Sequence, residues 1–287
     1  MMQQHSFGKV LQDVWDWRAA GNFMFGGTGS GLLFLVAAFS FPGNPNFMVG
    51  LLALFFVALG LTLVWLEIGR PWRFINVYFN PWTSWMSREA FVAAVVFGLA
   101  FIGILFEIPI VTLLGGLAGL FFLYCQARIL KASKGVPAWR EPAIMPFIQV
   151  TGLTEGAGLL AFAYAALGVN DQFLLGLFAL LLILRMVAWV HYRRQLKVHE
   201  APAAAQAVLA QINTLTMIIG NLLPLALIGA TIAITAFEQQ ALCAVAGVLA
   251  VLGGWLVKFT IVTRAAHYQG YAFAKPIRGK AQRKQTV

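Results

Sequence analysis

Residues 66–89, LEIGRPWRFINVYFNPWTSWMSRE, bring ionisable and aromatic side chains together between two long apolar runs. The segment holds two carboxylates, Glu67 and Glu89, together with three arginines and three tryptophans. Two prolines, Pro71 and Pro81, prevent one continuous helix through it, because proline lacks the backbone donor and clashes with the preceding turn. Carboxylates at the ends of membrane-depth segments are candidates for proton exchange.

The same segment also has a purely structural interpretation. Tryptophan and arginine are common at membrane interfaces, where the ring anchors the helix and the guanidinium reaches the headgroups. Glu89 follows Ser87 at the start of the next apolar run, where a helix amino terminus favours negative charge. The residues alone leave the functional and structural interpretations of Glu89 open.

The composition assigns the chain to the membrane proteins. Hydrophobic residues make up 60% of the sequence and charged residues only 10%, against about 25% charged residues in soluble domains. Apolar runs of about 20 residues are long enough to cross the hydrocarbon core as helices. The sequence predicts an all-α integral membrane protein, arranged as two four-helix bundles. Its eight predicted spans are 22–42, 46–66, 88–106, 109–130, 145–167, 172–191, 210–236 and 240–262.

The domain organisation follows from the same pattern. Residues 1–287 are predicted to form a single polytopic membrane domain, with an amino-terminal segment 1–21, no cleavable signal peptide and a basic tail 263–287. The two cysteines lie inside apolar runs, so no iron–sulfur ligand set or metal site is expected. The four histidines lie outside the spans or at a span end, so no haem is expected.

The basic residues predict the orientation. All 20 lysines and arginines fall on one side of the predicted topology, with Arg185 counted in the region between spans six and seven and Lys258 at the carboxyl end. The positive-inside rule then places both termini and residues 66–89 in the cytoplasm. Anionic membrane lipid and a cytoplasmic partner explain the net charge of +10, and no nucleic acid is needed.

Two features inside the spans carry alternatives. Gly27, Gly29 and Gly31 in the first span favour close helix packing, and a second interpretation is room for a flat ligand beside Asn22. Glu155 and Arg185 are charged residues within apolar runs, with Glu155 about 15 Å from the cytoplasmic end of its span. They predict either a structural ion pair between spans five and six or part of a proton path.

Three segments resemble the membrane-anchor subunits of dimethyl sulfoxide reductase-type complexes, the DmsC/NrfD-like group. LEIGRPWRFIN followed by SWMSRE resembles that group's connection between its second and third helices, which reads roughly L-H-L-G-x-P-x-R-x-x-N and then S-x-E. QARILKASKGVPAWREPAIMPF resembles its next loop on the same side, and TRAAHYQGYA its last-helix exit. Arg73 and Glu89 match the group's arginine and glutamate, whereas Glu67 stands where the group has histidine.

The resemblance implies a quinone-reactive subunit without haem or an iron–sulfur cluster of its own. The implied substrate is ubiquinone or menaquinone, and the implied partners are a ferredoxin-like four-cluster iron–sulfur subunit and a molybdopterin catalytic subunit. A quinone is an apolar disc with two carbonyl oxygens, so it needs an aromatic-lined slot and a carboxylate within reach for its protons. The predicted quinone site comprises Glu89, Arg73, Glu67, Trp72, Tyr78, Tyr124 and Asn22.

The substrate of the implied complex stays open. The segment WDWRAAGNFMFGGTGSGLL resembles the phenylacetyl-CoA:acceptor oxidoreductase membrane subunits of this group, and SSWLSRE-like segments occur in its cytoplasm-facing sulfite dehydrogenases. The implied location is a bacterial or archaeal cytoplasmic (inner) membrane, crossed several times. The alternative is a proton-coupled membrane transporter, which the charged residues deep in the spans support.

Overall fold

The structure is a computed structural model that describes residues 11–231 and 236–268. The described residues form α-helices with short 3-10 and π segments, and this part of the chain contains no β-strand. Residues 1–10 of the amino-terminal segment and residues 269–287 of the predicted basic tail lie outside the described residues.

Eight helices of the described chain are long and apolar enough to cross a membrane, which confirms the predicted all-α class and the number of spans. They are α1 (Trp17–Ser40), α2 (Phe47–Glu67), α3 (Trp85–Leu105), α4 (Pro109–Ala132), α5 (Ile144–Ala166), α6 (Gln172–Val198), α7 (Asn213–Ala230) and α8 (Glu238–Arg264). The largest extension is at α6, which continues through the polar sequence YRRQLKV beyond its predicted end.

Local sequence signals explain where several helices begin. The side chains of Asn46, Ser84 and Asp171 accept hydrogen bonds from backbone N–H groups in the first turns of α2, α3 and α6. Pro109 begins α4, a position where the missing N–H has no intrahelical partner in any case. Between α2 and α3, the predicted helix break is a 3-10 helix, Pro71–Phe79.

The helices pack as two four-helix bundles, as predicted. In the first bundle α1 contacts α2 and α4, and α3 contacts α2 and α4; the second bundle closes in the same way through α5, α6, α7 and α8. The bundles meet mainly where α1 lies against α5. There Gly31 approaches the backbone of Gly152, and an added Cβ would overlap the Gly152 carbonyl. This contact confirms the close-packing interpretation of the first-span glycines.

Candidate functional site

A cavity of about 520 Å³ lies at the end of the first bundle that carries the connection between α2 and α3. Its volume is within the range of small-molecule sites, and its lining is mostly apolar. The polar groups that line it are Asn22, Thr62, Glu67, Tyr78 and Glu89. The aromatic walls are Trp15, Phe23, Trp65 and Phe74. Four of the seven predicted site residues therefore surround one cavity.

Glu89 is the buried acidic group of the cavity. Its side chain is only 7% exposed, since residue 89 lies one turn into α3 on the face that packs inside the bundle. The amide Nδ2 of Asn22 donates to Oε1 of Glu89 at 3.1 Å, and the Gln126 side chain also acts on this carboxyl group. A carboxylate with amide donors in an apolar wall can accept, hold and release a proton beside a bound ligand.

A π-helical segment, Asn22–Gly26, brings Asn22 to this position within α1. π-bulges are rare and occur frequently at functional sites, because the extra residue turns side chains out of the regular helical register. Gln126 on α4 is the third member of the cluster, and its Nε2 donates to the backbone carbonyl of Asn22 at 2.8 Å. Three helices of the first bundle thus contribute to one hydrogen-bonded cluster.

Glu67 lies at the last residue of α2 and is partly exposed, in contrast to Glu89. Arg18 is the nearby cation: its NH1 donates to the Leu66 carbonyl at 2.7 Å, and its charge attracts Glu67. Arg18 also forms an ion pair with Asp16 at 2.8 Å, and this hydrogen-bonded pair lowers the pKa of the Asp16 carboxyl. The cavity therefore has one buried carboxyl group and one carboxyl group near water.

Three predicted site residues lie elsewhere among the described residues. Trp72 and Arg73 are on the exposed face of the 3-10 helix, with Trp72 74% exposed. Phe74, Val77 and Tyr78 of this helix line the cavity, whereas Trp72 and Arg73 are not among the lining residues. Trp72 and Arg73 therefore lie outside the lining of this cavity.

Tyr124 is also outside the cavity lining and belongs to an aromatic cluster on α3 and α4. Its ring contacts Trp85 edge-on at 5.7 Å and stacks on Phe121 at 5.8 Å. The Trp85 ring contacts two guanidinium groups, those of Arg88 at 4.1 Å and Arg128 at 4.5 Å from the ring centroid. Such cation–π contacts stabilise the junction of α3 and α4 beside the cavity.

The cavity wall at Trp15 depends on the amino-terminal segment. The Trp15 ring stacks on Trp139 at 4.7 Å, and Trp139 donates from Nε1 to the Ile261 carbonyl at 2.8 Å. Gln12 donates to the Trp15 and Val262 carbonyls and accepts from the Trp15 N–H. The exit of α8 therefore holds one wall of a cavity that otherwise belongs to the first bundle.

The predicted pairing of Glu155 with Arg185 is wrong, because Glu155 pairs with Lys258. The Lys258 Nζ lies 2.6 Å from the Glu155 Oε2, and neither side chain has any exposed surface. The Thr28 hydroxyl contacts the same carboxylate oxygen at 2.8 Å. Lys258 is thus an internal charge of α8 and does not belong to the basic surface.

Arg185 is also buried, on α6, and its hydrogen bonds go to neutral acceptors. Its Nε donates to Asn221 Oδ1 at 2.8 Å and its NH1 to the Ala250 carbonyl at 2.8 Å. Its NH2 donates to the carbonyl of Gly220, which lies in the π-helical segment Ile218–Leu222. Two of the basic residues used to predict the orientation, Arg185 and Lys258, are therefore interior residues; the other basic residues still support that prediction.

Gln126 and Lys258 are the functional candidates that sequence reasoning missed. Both are single polar residues in apolar runs, YCQARIL and WLVKFTIV, and this isolation was the available signal. Trp15 gave no comparable signal, because its place in the wall depends on contacts with Trp139 and the exit of α8.

No protein-family model matches this chain. The chain is 29% identical over 169 residues to one subunit of the sulfite dehydrogenase of Allochromatium vinosum. The match covers 51% of this chain and 51% of that protein, so the chain spans about half the length of the curated relative it matches. The relative's name describes it as part of an oxidoreductase with more than one kind of subunit.

Proposed function

We propose that the chain is the membrane subunit of an oxidoreductase complex, and that it exchanges electrons between an iron–sulfur partner and a quinone in the cavity beside Glu89. The observation that carries this proposal is a buried carboxyl group with an amide donor, Asn22, in the wall of an apolar cavity of about 520 Å³. The similarity to the sulfite dehydrogenase subunit supports the redox class.

The cavity residues fit a quinone headgroup. The headgroup is flat and apolar with two carbonyl oxygens, and the cavity offers aromatic surfaces from Trp15, Trp65 and Tyr78 with few polar groups. The Asn22 amide and the Glu89 carboxyl are adjacent and can hydrogen-bond one carbonyl oxygen of the ring. A quinone accepts or delivers two electrons and two protons, so a proton-exchanging group beside that oxygen is required.

We assign the two carboxyl groups different roles. Glu89 is buried and exchanges a proton with the ligand oxygen, whereas Glu67 is partly exposed and exchanges protons with water. Glu67 stands where the resembling family has histidine, and the opposite charges of Asp16 and Arg18 both act on it. In this assignment the carboxylate of Glu67 performs the proton exchange that an imidazole would perform in that family.

The partner subunits are expected to dock at the end of the protein that carries the cavity. That end includes the exposed 3-10 helix with Trp72 and Arg73, and Trp82, which is 88% exposed. Aromatic and arginine side chains are enriched in protein interfaces. The proposed partners are an iron–sulfur subunit and a molybdopterin catalytic subunit. Sulfite is the first substrate to test, given the matched relative, and phenylacetyl-CoA is the second.

The test is Glu89→Gln, which keeps the side-chain shape and removes the proton-exchanging group. In the assembled complex, we expect electron transfer from substrate to a short-chain quinone to fall by at least about tenfold. Transfer to a soluble artificial acceptor should continue, because that acceptor takes electrons before the membrane subunit. The matched control is Glu107→Gln, a change at an exposed carboxyl group in the connection at the other end. Wild-type quinone turnover in Glu89→Gln would refute the proposal.

A further inference from the structure

Two buried polar clusters lie on either side of the same stretch of α1. The first contains Asn22, Glu89 and Gln126 at the cavity, and the second contains the Lys258–Glu155 ion pair. Gly26 and Gly27 separate them, and neither glycine places a side chain between the clusters. The proposed function uses only the first cluster.

Gln126, a member of the first cluster, also lies near the second cluster and is completely buried. Its Nε2 donates to the Asn22 carbonyl at 2.8 Å, but its Oε1 has no hydrogen-bond partner among the described residues. A buried amide oxygen without a donor is costly, by about 1–3 kcal/mol in typical proteins. The orientation of this amide therefore needs a donor on the Oε1 side.

The Lys258 ammonium lies near that side. A Cβ added to Gly27 would lie 3.2 Å from the Gln126 Oε1 and 2.5 Å from the Lys258 Nζ. Because both distances are measured from the same Cβ position, the Gln126 Oε1 and the Lys258 Nζ are at most 5.7 Å apart. A single water molecule can bridge that separation, and a small side-chain rotation can reduce it to a direct hydrogen bond. An ammonium group has three donors, of which Glu155 Oε2 accepts one.

We propose that Lys258 is a positioning residue for Glu89 and that it acts through Gln126. The ammonium holds Oε1 of Gln126 on its own side, so the amide keeps Nε2 directed at the Asn22 carbonyl and the Glu89 carboxyl. The opposite amide orientation would place Oε1 against two acceptors and Nε2 against a cation. Glu155 accepts from the ammonium and keeps it in place, and the Thr28 hydroxyl donates to the same carboxylate oxygen.

This inference rests on the proposed quinone site, because Glu89 is the group that Lys258 positions. It adds a link between the bundles: Lys258 belongs to α8 in the second bundle, whereas Gln126 and Glu89 belong to α4 and α3 in the first. Lys258, which positions Glu89 in this proposal, is thus remote from the ligand.

The experiment is a double-mutant cycle in the assembled complex. Gln126→Leu removes the amide that links Lys258 to Glu89. It is made in the wild type and in a charge-free background that combines Lys258→Met with Glu155→Gln. The background is changed as a pair because removing one member would leave the other charge buried and unpaired. Gln239→Leu is the matched control, since that buried glutamine bonds Asn170 in the other bundle. The readouts are kcat and KM for quinone and the infrared carbonyl band that Glu89→Gln removes.

We expect Gln126→Leu to lower kcat for quinone about tenfold in the wild type and by less than about twofold in the charge-free background. We also expect Gln126→Leu and the combined Lys258→Met/Glu155→Gln variant to shift the Glu89 infrared band in the same direction. Gln239→Leu should not shift it. Equal kcat effects in the two backgrounds, or an unshifted band, would overturn the positioning role. If those outcomes occur while Glu89→Gln strongly lowers quinone turnover, the proposed function stands and only the positioning role fails. Wild-type quinone turnover in Glu89→Gln would instead refute the proposed function.

Discussion

The Nζ of Lys258 lies 2.6 Å from the Oε2 of Glu155, and both side chains are completely buried between α5 and α8. The Trp255 Nε1 donates to the Thr28 hydroxyl at 2.9 Å, and that hydroxyl contacts Glu155, so α1 joins the same cluster. Charges at membrane depth are costly unless they are paired, and through Thr28 this paired cluster also contacts α1 of the first bundle.

The first prediction concerns the stability of this pair. Lys258→Met or Glu155→Gln alone should lower the free energy of unfolding by about 3–5 kcal/mol, because each leaves a buried group without its partner. The combined variant should be more stable than either single variant. Thermal unfolding of the purified protein in detergent measures this order. A combined variant that is as unstable as the sum of the single changes would show that the pair has no mutual stabilisation.

The second prediction concerns the cavity volume. Ala90 lines the cavity, so Ala90→Phe should fill part of it and raise KM for quinone about tenfold. Ala94→Phe makes the same change on the exposed face of the same helix and should leave KM unchanged. Steady-state kinetics with a short-chain quinone separates the two variants. Equal KM values for both would place the ligand outside this cavity.

The third prediction separates Asn22 from Arg73. Asn22→Leu removes the amide donor to Glu89 and should raise KM for quinone about tenfold. Arg73→Lys should leave that KM unchanged, because the Arg73 side chain lies on the exposed face of the 3-10 helix. A rise in KM for Arg73→Lys would mean that this helix rearranges over the cavity when the ligand binds.

The fourth prediction concerns topology. Reporter fusions after residue 287 and in the connection between α3 and α4 should report opposite sides of the membrane, with the carboxyl terminus in the cytoplasm. The physical basis is the concentration of basic residues at the end that carries the cavity, which remains when the interior residues Arg185 and Lys258 are left out of the count. Periplasmic activity of the carboxyl-terminal fusion would reverse the assignment.

The sequence by itself determined that the protein is a membrane protein and how many spans it has, and it predicted where a site would lie. Apolar run length responds to one physical constraint, the thickness of the hydrocarbon core, so the eight helices were readable without tertiary information. The prolines and charges of residues 66–89 marked the connection that surrounds the cavity. Glu89 was also identifiable, because it is a carboxylate at a span end within a recognisable motif.

Only the tertiary structure decided which residues meet. Residues in different helices share no local periodicity, so nothing in the sequence joined Glu155 to Lys258 rather than to Arg185. Arg73, on a 3-10 helix, lies outside the cavity lining, and a π segment turned Asn22 towards Glu89; both placements depend on backbone geometry that the residue types do not dictate. Gln126 joined the site because helix packing, which depends on the shapes of all neighbouring side chains, placed it between Glu89 and Lys258.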